Sequence, residues 1–155
     1  RTFCRLLARM GWIVLFSRRM LPAKSLAMNA YFLVALGGAL GASMRYGVGQ
    51  IASRLTDAPG LYATFVVNIL GSALIGIVMA WLTLREQTEA TNTLFLLVAV
   101  GVLGGFTTFS AFSLEVVHMI NSGQAAKASV YALASVLGGV IALLVTFSLA
   151  RRLLA

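Results

Sequence analysis

The sequence predicts an all-α membrane protein. Three observations carry that reading: an apolar composition, four long hydrophobic stretches, and connections too short to hold a soluble domain. The chain has 155 residues, of which 60% are hydrophobic and 10% charged, and its mean hydropathy is +0.95. So little polar surface does not solvate a water-facing globule. The apolar stretches run from Tyr31 to Ser53, Leu61 to Leu84, Thr93 to Asn121 and Lys127 to Ala150. Each reaches the ~20 residues that a helix needs to cross a hydrocarbon core, and the third is distinctly longer.

The connections are brief and polar. Thr56-Asp57-Ala58-Pro59-Gly60 carries turn chemistry, Arg85 to Asn92 is a charged loop, and Asn121-Ser122-Gly123-Gln124 is a tight turn. The net charge of +8 would elsewhere suggest nucleic acid, but residues 1–27 hold Arg1, Arg5, Arg9, Arg18, Arg19 and Lys24 with no acid, leaving +2 for the rest. Arginines beside apolar helices contact lipid headgroups or set topology, so no nucleic-acid partner is expected. Three readings of this basic N-terminal extension stay open: a targeting segment, an interfacial helix, or sequence upstream of a start at Met28.

Small residues recur at four-residue spacing, as in Gly37 and Gly41, Gly101 and Gly105, and Ser135 and Gly139. Such stripes flatten one helix face and let backbones approach closely in lipid. Packing accounts for them without any transport role.

A polar side chain at membrane depth must find a partner or line a wet path, so the few present are the functional candidates. In the second span Thr64, Asn68 and Ser72 share one face; in the fourth, Tyr131 and Ser135 do, with Gly139 continuing the stripe. Interhelical hydrogen bonding and a polar path are both compatible with that spacing. Arg45, on the stripe Gly38, Ala42, Arg45 and Gly49, either snorkels to the interface or supplies positive potential at an anion vestibule.

The third span sharpens the signal. In Gly104-Gly105-Phe106-Thr107-Thr108-Phe109-Ser110-Ala111-Phe112-Ser113, paired glycines precede paired threonines in mid-membrane. Gly lacks rigidity and Thr hydroxyls satisfy backbone groups locally, so a broken third helix is expected, with freed carbonyls able to coordinate a cation. Phe109 and Phe112 follow on one face, where phenylalanines are ordinarily lipid or packing contacts.

That run closely resembles the CrcB/Fluc fluoride channels, together with Gly37-Gly38-Ala39-Leu40-Gly41-Ala42 leading to Arg45-Tyr46, and Asn68-Ile69-Leu70-Gly71-Ser72. The resemblance covers Met28 to the C-terminus, so residues 28–155 are read as one four-helix fluoride channel domain. It implies an antiparallel, dual-topology homodimer in the bacterial inner membrane, which lets cytoplasmic fluoride leave passively and so reduces its toxicity. The partners implied are fluoride, a second copy of the chain and membrane lipid. It also implies a structural Na+ at the dimer interface, held by the carbonyls of Gly104 and Thr107. The pore phenylalanines match Phe109 and Phe112, the pore asparagine matches Asn68, and Tyr131 and Ser135 fall where hydroxyls line the path. Thr64, Thr108 and Ser110 neighbour that track, and Arg45 falls at a vestibule. One departure is Gly139, where a further hydroxyl is expected.

The residue types suit the ion. Fluoride is small and strongly hydrated, so a selective path replaces water with close donors and presents no opposing charge. Amide and hydroxyl side chains donate, and an aromatic ring turned edge-on offers an anion its positive rim. The charge balance agrees with insertion in both orientations: counted from Met28, Arg85, Arg151 and Arg152 lie on one side, Arg54 and Lys127 on the other with Arg45 nearby.

Two other readings differ in class. A small proton-coupled multidrug exporter needs a carboxylate in its first helix, and here that helix has none; the one carboxylate within a span is Glu115. A non-conducting assembly subunit would show the same small-residue stripes without flux. An enzyme is not expected, since His118 is the sole histidine, Cys4 the sole cysteine, and Asp57, Glu86 and Glu89 are loop acids without evident partners.

Overall fold

The structure, a computed structural model, describes residues 27–155. The basic stretch of residues 1–26, with the three readings of it, lies outside the described residues. In chain order the helices are α1 (Ala27–Leu55), α2 (Pro59–Thr83), α3 (Glu89–Leu94), a π-helical segment π1 (Phe95–Leu103), α4 (Gly104–Phe106), α5 (Phe109–Asn121) and α6 (Ala125–Leu154). Among the described residues there is no strand.

Three stretches are long and apolar enough to cross a membrane: Pro59–Thr83, Glu89–Asn121 and Ala125–Leu154. The 29-residue α1 carries Asn29, Ser43, Arg45, Gln50 and Ser53, which make it the least apolar of the long helices.

Local chemistry explains the boundaries. Pro59 opens α2, where its missing N–H costs nothing and its fixed φ suits a first turn. The charged loop is shorter than expected, since helix resumes at Glu89 rather than beyond Asn92. The reason is a capping box: Thr88 Oγ1 accepts the Thr91 N–H at 3.2 Å and Thr91 Oγ1 accepts the Thr88 N–H at 2.9 Å. The turn after α5 closes on Gly123, whose φ of 74° lies in the left-handed region. Its N–H bonds the Ile120 carbonyl at 3.0 Å while Gln124 N–H bonds Met119 at 2.8 Å, a Schellman pair that reverses the chain into α6.

Two apolar clusters bracket the middle of the molecule. One gathers Met79, Leu82, Phe95, Leu96, Ala99 and Phe147 at the end of α2 and the start of π1. The other joins Phe112, Met119, Ala128 and Tyr131 at the α5–α6 turn. Polar residues lie between these clusters, so well-packed structure fixes them from both ends.

α1 lies backbone against backbone on π1 and α4. A Cβ added at Gly105 would stand 2.6 Å from the Gly38 carbonyl oxygen, and one added at Gly101 would stand 2.9 Å from the Gly37 Cα. The small-residue stripes of α1 and of the π1–α4 stretch therefore face each other, the close backbone approach that small residues allow.

Candidate polar site around Asn68 and Thr108

Helical geometry lapses between α4 and α5. Gly104 and Gly105 are themselves helical, and it is Thr107 (φ −78°, ψ 158°) and Thr108 (φ −150°, ψ 116°) that are extended. Gly105 is engaged in packing on α1 and Gly104 lines the groove, whereas Thr108 is the N-cap of α5: its Oγ1 accepts the Ala111 N–H at 3.2 Å. Thr107 Oγ1 donates back to the Leu103 carbonyl at 3.1 Å, closing off the preceding helical turn.

Asn68 of α2 meets this lapse directly. Its Nδ2 donates to the Thr108 carbonyl at 3.0 Å and its Oδ1 accepts the Thr108 N–H at 2.8 Å. Thr108 Oγ1 lies 3.2 Å from Ser110 Oγ, so Asn68, Thr108 and Ser110 form one connected polar group. In a continuous helix the Thr108 and Ala111 N–H groups would reach the carbonyls of Gly104 and Thr107. Both are diverted, to Asn68 Oδ1 and Thr108 Oγ1. Two carbonyls thus lose their ordinary helical donors, and hard neutral oxygens of this kind fit a monovalent cation such as Na+.

An open groove of about 450 Å³ runs past this group. Asn68, Ser72, Thr107, Thr108, Phe109 and Ser135 are among the residues that line it. Phe112 is buried at 8% exposure, while Phe109 is 76% exposed. Their rings lie 5.4 Å apart at 45°, and Phe112 continues to Tyr131 at 5.5 Å and 42°. Ser135 Oγ is buried and makes no hydrogen bond, so it holds an unspent donor beside the groove.

Thr64 and Tyr131 sit at one end, on a residue to which the sequence assigned no role. Glu115 accepts from Thr64 Oγ1 at 2.7 Å and from Tyr131 Oη at 2.6 Å. Glu115 falls one helical turn beyond Phe112, and its being a lone carboxylate within a span was the one signal that marked it. At the other end a Cβ on Gly139 would lie 3.2 Å from Ser72 Oγ, so α2 presents a hydroxyl at the level where α6 lacks one. Arg45 stands apart from the groove lining. Its Nε donates to the Gly105 carbonyl at 3.2 Å.

The profile of the family described as "CrcB-like protein, Camphor Resistance (CrcB)" matches residues 32–147. This chain belongs to the CrcB family. A CrcB-family relative from Hyphomonas neptunium, named fluoride-specific ion channel FluC, is 51% identical over 128 residues, covering 83% of this chain and 100% of that protein. Relatives of the same name from Caulobacter sp. strain K31 and Thermus thermophilus are 47% and 46% identical, covering 81% and 72% of this chain and 98% and 87% of theirs. The family match spans all four long helical stretches and includes every residue of the polar group.

Proposed function

We propose that this protein is a fluoride-selective ion channel of the inner membrane, built from residues 28–155 and working as an antiparallel, dual-topology homodimer. The observation that carries the reading is a groove lined by neutral polar groups and phenylalanine side chains, in a chain of the CrcB family: Asn68, Thr108 and the unpaired Ser135 hydroxyl stand beside Phe109 and Phe112. Neutral donors replace the hydration of a small anion without trapping it.

In this reading α1 is the fourth span. At 1.5 Å per residue its 29 residues extend about 44 Å, ample for a bilayer core. The third span is a helix broken at Thr107 and Thr108. Fluoride passes Asn68, Thr108, Ser110, Phe109 and Phe112, then the Ser135 hydroxyl, with Tyr131 and Thr64, which donate to Glu115, flanking that end of the track, and Arg45 belongs to the vestibule. A second copy covers Phe109 and closes the groove. Gly104 and Thr107 hold a structural Na+ at the dimer interface, which ties the broken helices together by charge.

Passive conduction suffices for protection. Hydrogen fluoride enters a cell neutral and ionises inside, and the channel gives the trapped anion a way out. The test is reconstitution of the chain into liposomes with fluoride and chloride efflux recorded by electrode. Fluoride efflux down its gradient, without a proton gradient and without comparable chloride efflux, is the expected result. Efflux of a cationic dye coupled to protons would support an exporter instead.

A further inference from the structure

We propose that Arg45 is a positioning residue that holds the interruption of the third span through its Nε, and that its positive charge is secondary. α1 runs backbone against backbone along π1 and α4: a Cβ at Gly41 would stand 2.7 Å from the Phe106 N, and one at Gly105 2.6 Å from the Gly38 oxygen. Arg45 lies one turn beyond Gly41, and from there its part-buried Nε reaches the Gly105 carbonyl at 3.2 Å.

That carbonyl has a specific need. In an unbroken helix it would accept the Phe109 N–H, but Thr107 and Thr108 are extended and Phe109 begins a new helix. The end of a helical segment also carries partial negative charge, which a guanidinium complements. Asn68 does the matching work from α2, bonding Thr108 in both directions. The interruption is therefore gripped at Gly105 from α1 and at Thr108 from α2. Arg45 acts on fluoride first through the chain path that delivers Thr108 to the groove, and its charge at the vestibule comes second.

Two substitutions separate the donor from the charge. A glutamine amide nitrogen occupies the same place along the side chain as the arginine Nε, without charge. Lysine keeps the charge and puts a methylene there. The full chain is prepared as wild type, Arg45→Gln, Arg45→Lys and Arg45→Met, and each is measured in two ways. Hydrogen exchange of the segment 105–111 reads the interruption itself, and fluoride efflux against fluoride concentration and ionic strength reads conduction. The expected order is Gln closer to wild type than Lys, with Lys and Met exchanging about tenfold faster. Maximal flux should fall in that order, with the fluoride concentration at half-maximum and the salt dependence unchanged. If Lys equals or exceeds Gln on either readout, including loss of both, the proposal is overturned and Arg45 acts as a charge. The flux arm rests on the channel reading and the exchange arm does not: wild-type protein without fluoride flux sinks that reading while exchange still decides this one.

Discussion

Asn68 and Thr108 exchange both of their polar groups, with Nδ2 on the Thr108 carbonyl at 3.0 Å and Oδ1 on the Thr108 N–H at 2.8 Å. The side-chain amide thus does what a neighbouring peptide would do, at the place where the helix ladder fails. Asn68→Ala strands a donor and an acceptor, which should cost roughly 2 kcal/mol or more and abolish fluoride flux. Asn68→Asp keeps the acceptor for the N–H but sets an oxygen against the Thr108 carbonyl, so it should rescue neither. Thermal unfolding in detergent and liposome efflux check both variants, and an Asp variant equal to wild type would count against the pairing.

The glycine contacts make a prediction that needs no channel assay. A methyl at Gly105 meets Gly38 backbone atoms at 2.6 and 3.0 Å, which have no rotamer to yield, whereas one at Gly47 meets nothing within 4 Å. Gly105→Ala should destabilise by about 1–3 kcal/mol, and Gly47→Ala should be neutral or gain about 0.5–1 kcal/mol from helix propensity. Equal melting temperatures for the two variants would contradict the α1–α4 contact.

How much of this was legible in the sequence depends on range. Spans and turns follow from runs of apolar residues and from Pro59 and Gly123, all local signals. The face shared by Thr64, Asn68 and Ser72 is likewise a matter of helical period. What Asn68 bonds is not, because Thr108 is 40 residues away and its N–H is released from the helix by an interruption that local pattern locates only loosely. The paired glycines point to a lapse at Gly104 and Gly105, but both are helical, Gly105 serving contact with α1, and the threonines carry the extended backbone. The role of Glu115 is hidden for the same reason: the hydroxyls that donate to it come from two other helices.

If Gly104 and Thr107 hold Na+, sodium should stabilise the dimer rather than drive transport. Protein purified with N-methylglucamine in place of sodium should dissociate at lower dilution and lose conduction, and sodium added back should restore both. Calcium should not substitute, since the proposed donors are neutral carbonyls with no carboxylate alongside. Dimer lifetime by single-molecule counting reads this without reference to flux. Indifference to the cation would remove Na+ from the assignment.

The phenylalanine pair gives the sharpest separation between a packing role and a conducting one. Phe112 is 8% exposed and touches both Phe109 and Tyr131, while Phe109 is 76% exposed on the isolated chain. As mere filler, Phe112→Leu would lose ring contacts and some stability, and Phe109→Leu would lose little, since it packs against little within its own subunit. As pore residues, both would lose conduction alike, because leucine keeps apolar bulk but has no positive ring edge to meet an anion. Stability and conduction should therefore part company at Phe109: melting temperature and dimer content near wild type, fluoride efflux reduced tenfold or more. Phe106, buried at 5% exposure, would confound the comparison, so Phe32, 69% exposed on α1, is the better control and should conduct normally as leucine. Undiminished fluoride efflux from a folded, dimeric Phe109→Leu protein would return both rings to packing.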